Sequence, residues 1–320
     1  MRGRAEELAA RRVDIREMGG GAEALARQHA AGQMVQHTLG ASIPANEHSR
    51  AGARGSRKVP VFRSLLYREP RLYDLVFPDS DEATGGMLRT AIGWYLPGIP
   101  RSMLDVGCGT GQHLEALARI IPDCYGVDLL EPNIAYARSV RAGIRFQVGD
   151  MRTVRLGRTF ELVTCLGNTL SYALTDHDLA DTVSTLAEHA HSGTLLVVDP
   201  LNARAYLEGG GFEERIEGQV ATPEFKATSV SLHELDREAR VLKRTRTWHI
   251  RGRPDVEDYA EYRRLFPEEV QQMLEAGGFQ VLTMYDNREF KPTDLTGGIT
   301  AAPDVGGMRG RKLYVFARKR

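Results

Sequence analysis

Cysteine is scarce in this chain, at three in 320 residues, and none of Cys108, Cys124 and Cys165 stands in a C-x-x-C pair. That removes a disulfide framework and the usual cysteine zinc sites, and it suits buried free thiols in a reducing cytoplasm. Net charge is lacking as well: 42 basic residues balance 42 acidic ones. No global electrostatic case for nucleic acid or an anionic membrane survives that balance, although a local patch does. No apolar run approaches the roughly 18 residues that suggest a membrane-spanning helix. The first residues carry no apolar core of a secretory signal, so neither insertion nor export is expected. No two histidines or carboxylates share the i, i+4 helical spacing in a plausible pocket, so the expected chemistry uses no metal.

What is present points to a ligand-binding α/β core. Leu104-Asp105-Val106 is a short apolar strand, and Gly107-Cys108-Gly109-Thr110-Gly111 follows with glycine at every second position. A helix-like stretch from Gln112 to Ile120 comes next, and Tyr125-Gly126-Val127-Asp128 reads as a second strand ending in a carboxylate. This unit brings bare backbone against a ligand, and the later acid suits ribose hydroxyls. Asp128 lies 23 residues after Asp105, close to the interval of about 20 expected when one helix separates the strands. A third strand, 144 to 148, ends in Gly149-Asp150-Met151.

The alternation continues, with strands expected at 102–106, 124–128, 144–148, 160–166 and 193–199 and helices at 112–120, 132–141 and 177–190. It predicts a doubly wound, mostly parallel sheet with its ligand at the carboxyl ends of the strands. After Asp199-Pro200 the pattern changes to β-like stretches at 211–219, 225–235, 240–250 and 256–265, alternating at the period of half-exposed antiparallel strands. A last helix, Pro267 to Ala276, is stopped by Gly277-Gly278, and Phe279 to Tyr285 and Lys312 to Ala317 supply two closing strands. The expected division is therefore an N-terminal extension (1–58), a helical cap (59–100), a cofactor-binding core (101–200), an antiparallel layer covering the substrate (201–266) and a C-terminal completion of the sheet (267–320). The extension carries ten basic against six acidic residues. Partial helix or disorder is the plain reading, and an oligomerisation or lid arm the sharper one.

The segment D-V-G-C-G-T-G resembles motif I of the class I S-adenosylmethionine-dependent methyltransferases. The resemblance implies a seven-stranded Rossmann-like sheet and a cofactor, S-adenosylmethionine leaving as S-adenosylhomocysteine, held by Asp105, Gly107, Gly109, Gly111, Asp128 and Leu129. It also implies adenine beside Asp150 and Met151, with Leu166 at the end of the fourth strand nearby. Tyr73-Asp74-Leu75-Val76-Phe77 matches a cap segment that folds over the methyl donor in that family, which places Tyr73 with the cofactor. The loop after strand four, Gly167 to Tyr172, lies beside the methyl group there, so Asn168, Ser171 and Tyr172 become site candidates.

Within the family, residues 70 to 320 are most similar in pattern to N,N-dimethyltransferases acting on nucleotide-linked amino sugars, with Tyr262-Arg263-Arg264-Leu265-Phe266 before the last helix. An arginine near that place helps hold the sugar's pyrophosphate in those enzymes, and Arg263 is its match, next to Tyr262. The implied acceptor is an amine on a small molecule, with a homodimer left open and neither nucleic acid nor membrane expected. O- or C-methylation of a phenolic acceptor, or a methyltransferase-like shell without transfer, stay as alternatives, because one core hosts many chemistries. Should a proton acceptor be needed, Tyr172, His177, His233 and His249 are the candidates, and positioning alone ranks above them.

Overall fold

The computed structural model describes residues 64–77, 80–208, 210–287, 290 and 307–320; the expected extension of residues 1–58 lies outside them. A seven-stranded sheet forms the centre: β1 (Ser102–Val106), β2 (Asp123–Asp128), β3 (Arg145–Val148), β4 (Phe160–Cys165), β5 (Ala190–Val198), β10 (Phe279–Tyr285) and β11 (Tyr314–Lys319), in the spatial order β3-β2-β1-β4-β5-β11-β10. The first five run parallel, and β11 is antiparallel to both its neighbours. Leu104 at the centre lies between Tyr125 of β2 and Val163 of β4. Both faces are covered, so the central strands read as near-continuous apolar runs: Met103, Leu104, Leu162, Val163, Leu195, Leu196 and Val197 are fully buried.

The covering helices are α4 (Gln112–Leu117), α5 (Glu131–Val140), α6 (Asp176–Glu188) and α8 (Pro267–Ala276), with α3 (Ser80–Tyr95) packed on α4. A Cβ on Gly85 of α3 would come within 2.8 Å of Ala116 Cβ, so the glycine lets those two helices approach. Thr175 caps α6 by accepting from Asp178 N at 3.0 Å. The expected stretch 112–120 ends as helix at Leu117; the expected last helix runs Pro267–Ala276 as read.

Four antiparallel strands, β6 (Arg215–Ala221), β7 (Lys226–Asp236), β8 (Val241–Ile250) and β9 (Val256–Arg263), make a second sheet, reached through the short α7 (Ala203–Leu207). The cap helices α1 (Leu65–Arg68) and α2 (Pro70–Val76) rest on it, with Leu65, Leu66 and Leu72 packed on Phe225, Ala227, Trp248 and Ile250. One buried carboxylate anchors this contact. Asp258 Oδ2 accepts from Trp248 Nε1 at 2.7 Å, from Leu65 N at 3.4 Å and from Ser64 Oγ at 3.5 Å. Asp258→Ala would strand those donors, so we expect a loss of about 2–4 kcal/mol of stability in urea unfolding. A loss under roughly 1 kcal/mol would show that the anchor contributes only packing.

Candidate active site

The glycine loop after β1 is tied to the end of β2. Gly107 N and Cys108 N donate to Val127 O at 2.7 and 2.9 Å, and Gly109 N donates to Asp128 Oδ2 at 2.9 Å. Asp128 Oδ1 accepts from Leu130 N at 2.9 Å and Asn133 Nδ2 at 3.3 Å. Burial raises the Asp128 pKa, while the Leu130, Gly109 and Asn133 hydrogen bonds work against that rise. Gly107, Gly109 and Gly111 have φ of +78°, +54° and +86°. Gly107 faces Thr169 and Gly111 faces the Phe146 ring, whereas a Cβ on Gly109 would meet nothing within 4 Å. The open side of the loop is therefore at Gly109.

That side borders a cleft open to solvent. Tyr73, Gly107, Gly109, Asp128, Leu129, Asp150, Met151, Leu166 and Tyr172 line it, as do Tyr67, Thr110, His113 and Asn133. Of the expected cofactor residues, Asp105 and Gly111 stand back from the wall. Asp105 is fully buried below it, accepting from Thr164 Oγ1 at 2.7 Å, and Gly111 is turned against Phe146. Asp150 lines the wall while bound by Arg152, which also reaches Asp178.

The cap closes the opposite side. Asp74, next to Tyr73, accepts from Thr110 Oγ1 at 2.6 Å and from Arg141 Nη2 at 2.9 Å, so α2 is latched to the glycine loop and to the end of α5. The hydroxyls of Tyr67 and Tyr172 lie 2.7 Å apart, and the Tyr172 and Tyr262 rings are 5.1 Å apart. Burial pushes the Tyr73 phenol up to about 12 and raises Tyr67 and Tyr172 too, so these phenols stay protonated near neutrality.

Several expected residues fall elsewhere. His177 is 70% exposed on the first turn of α6, 3.4 Å from Asp181, and His249 sits on the outer face of β8 at 2.9 Å from Asp255. Neither lines the cleft, because each side chain points from its element toward solvent. His233 Nδ1 is engaged by Glu213 O at 2.9 Å. Ser171 is buried and its Oγ accepts from Leu201 N, while Asn168 takes a left-handed turn with φ +64° and donates its N–H to Asp199. Arg263, read as a pyrophosphate ligand, points instead to Leu174 O and to the exposed Asp176, whose carboxyl it holds below the usual range.

Other buried or half-buried guanidinium groups come from β8 and the chain after β9. Arg244 and Arg246 share the inner face of β8 with Trp248; Arg244 lies over the Tyr262 ring at 5.4 Å, and Arg246 Nε donates to Ser231 Oγ at 3.1 Å. Arg264 is 2% exposed, stacks 3.9 Å over the Tyr206 ring, and has Nε and Nη1 without a hydrogen-bond partner. Burial lowers its pKa to about 10. Asp258 is the carboxylate that acts on Arg244 and Arg246, so positive charge is in excess. The sequence held a signal for the β8 pair: Leu242, Arg244, Arg246 and Trp248 alternate on one face that begins and ends apolar.

Residues 103–193 match the family model described as a methyltransferase domain. Residues 103–193 are thus a methyltransferase domain. This methyltransferase core is 38% identical over 99 residues to the dTDP-3-amino-3,4,6-trideoxy-alpha-D-glucopyranose N,N-dimethyltransferase of Streptomyces venezuelae, covering 31% of this chain and 42% of that protein. The match thus spans about two fifths of that relative's length. A longer match, 25% identical over 218 residues, covers 68% of this chain and 79% of the dTDP-4-amino-2,3,4,6-tetradeoxy-D-glucose N,N-dimethyltransferase of Saccharopolyspora spinosa. The fold resembles that of Streptomyces venezuelae DesVI, with TM-score 0.64 and 21% identity over 79% of this chain and 98% of that one. It also resembles S-adenosylmethionine-bound CalS10 of Micromonospora echinaspora, an amino pentose methyltransferase, with TM-score 0.59 and 24% identity over 82% and 100% of the two chains.

The methyltransferase loop separates two kinds of glycine. Gly111→Ala places a Cβ 2.7 Å from the Phe146 ring in a left-handed residue, and we expect thermal unfolding to report a loss of about 1–3 kcal/mol. Gly109→Ala meets no neighbour and should cost only about 1 kcal/mol, while narrowing the cleft. Equal losses in the two variants would contradict this division.

Proposed function

We propose that the chain transfers methyl from S-adenosylmethionine to the nitrogen of a small anionic amine, an amino sugar carried on a nucleoside diphosphate. The observation that carries the reading is the cleft itself, with a carboxylate and open glycine backbone on one wall and tyrosines backed by the guanidinium groups of Arg244 and Arg246 on the other. The residues present fit the cofactor: Asp128 suits ribose hydroxyls, Asp150 and Met151 suit adenine, and Gly109 leaves room for close approach. The bound sulfonium would supply an already activated methyl group.

What the chain contributes is alignment and exclusion of water, which in favourable cases lowers a barrier by about 7–11 kcal/mol. Tyr67, Tyr73 and Tyr172 close the cleft, and being held neutral they orient a nucleophile rather than take its proton. A neutral amine brings its own lone pair, so such a wall is sufficient for it, whereas a hydroxyl acceptor would ask for a base. Arg244 and Arg246 stand behind the tyrosines in place of the expected Arg263, and guanidinium matches phosphate oxygens. The names of the amino-sugar N,N-dimethyltransferases to which the core is similar support an amine acceptor in natural-product biosynthesis. Among the described residues no group of three or more His, Cys, Asp or Glu is placed to hold a metal ion, and no helix is long and apolar enough to cross a membrane.

Two measurements test this function. Calorimetric titration with S-adenosylmethionine should show binding that Asp128→Ala weakens at least about tenfold, the equivalent of roughly 1.4 kcal/mol. Mass spectrometry of a nucleoside diphosphate amino sugar incubated with enzyme and cofactor should then show added methyl groups. In that assay Arg244→Leu is expected to raise acceptor KM by about tenfold or more while leaving cofactor affinity near wild type. A folded protein that binds no cofactor would overturn the whole reading. Methylation of a neutral amine as efficient as that of the nucleotide-linked one would overturn the anionic acceptor.

A further inference from the structure

His113 occupies the first turn of α4 and lines the cleft, its side chain 17% exposed, with Nδ1 3.5 Å from Asp105 Oδ2. Asp105 beneath it is 0% exposed, and its Oδ1 accepts from Thr164 Oγ1, whereas Oδ2 has no hydrogen-bond partner. A buried carboxylate is thus joined to the cleft through one imidazole. The charged groups acting on that imidazole from the packed elements are Asp105 on β1, Asp199 after β5 and Lys312 before β11. Lys312 Nζ and Asp199 Oδ2 pair at 2.8 Å and offset one another, which leaves Asp105 as the charge that His113 answers. Across the same cleft lie Asp128 and the Asp150–Arg152 pair.

Resting on the cofactor proposed above, we propose that His113, held by Asp105 in the wall of the cleft, discriminates the sulfonium cofactor from its thioether product by charge. The two ligands differ by one methyl group and one positive charge at sulfur. A cation in the wall of a small, partly desolvated cleft opposes the sulfonium and leaves the thioether alone, whatever the amino-acid end of the ligand does at the same wall. With the imidazole neutral that opposition is gone, so the sulfonium is favoured.

The pH dependence follows in sign. Burial draws the His113 pKa down, but the close approach and charge of Asp105 outweigh it and the net direction is up. His113 therefore keeps its proton to higher pH than an ordinary imidazole, the sulfonium expels it to solvent, and cofactor affinity gains relative to product affinity as pH rises through the His113 pKa. One proton limits the change to about tenfold per pH unit.

Calorimetry on the full chain from about pH 6 to about pH 8.5 tests this, titrating S-adenosylmethionine and S-adenosylhomocysteine separately in two buffers of different ionisation enthalpy. The expected result is a ratio of product Kd to cofactor Kd that rises severalfold with pH, with more proton release for the sulfonium than for the thioether. In His113→Gln the ratio should be flat and high, and in His113→Lys, which is charged throughout, flat and low. A wild-type ratio that does not change with pH, or His113→Lys and His113→Gln variants sharing one ratio, overturns the inference while leaving the proposed cofactor standing. If neither ligand binds, it is the proposed function that fails. The wild-type titration decides the matter even if a variant does not fold.

Discussion

The structure depends first on how the loop after β1 is held to the end of β2. Three backbone N–H groups, those of Gly107, Cys108 and Gly109, are satisfied by Val127 O and the Asp128 carboxylate, so a loop of left-handed glycines carries its own hydrogen bonds without help from a ligand. Everything near the cleft is then placed by contact with it. Phe146 of β3 fills the space that side chains on Gly111 and Gly126 would take, Thr169 fills that beside Gly107, and Asp74 of the cap reaches Thr110. A ligand against Gly109 meets a wall already built, which is the condition under which binding energy goes into alignment rather than into ordering the protein.

The second sheet makes a different contribution. Its inner face is apolar where it meets the cap, through Trp248 and Ile250, and basic toward the tyrosines, through Arg244 and Arg246. Asp258 serves both regions, because the oxygen that anchors the cap belongs to the carboxylate that partly offsets Arg244. Cap position and the electrostatics behind the cleft are thereby coupled through one side chain. Buried charge is costly unless compensated, and Arg264, with Nε and Nη1 unpaired, lies apart from this group against the Tyr206 ring.

The core was legible because its signals are local. A β strand of apolar residues, glycines that need positive φ, and an acid one helix later lie within one stretch of chain, and the expected strand 102–106 and the helix Pro267–Ala276 coincide with those found. The four antiparallel strands were legible by their period of two, with ends displaced by a few residues. The candidate histidines show where that legibility stops: a histidine near a loop carries no local sign of which way it will point, and His177 and His249 point outward. Among the described histidines it is His113, five residues beyond Cys108 and not singled out in the sequence, that lines the cleft.

By itself the sequence determined the element order, the glycine loop and the acids at strand ends, because backbone conformation and hydrophobic period are written in neighbouring residues. Which side chains share a wall was decided only by the tertiary structure. Tyr67 meets Tyr172 across 105 positions, and Asp74 meets Arg141 across 67. Adjacent arginines part company for the same reason: Arg263 turns to Asp176 and Arg264 stacks on Tyr206, since successive residues of an extended chain face opposite sides and only the neighbouring elements decide what each side meets.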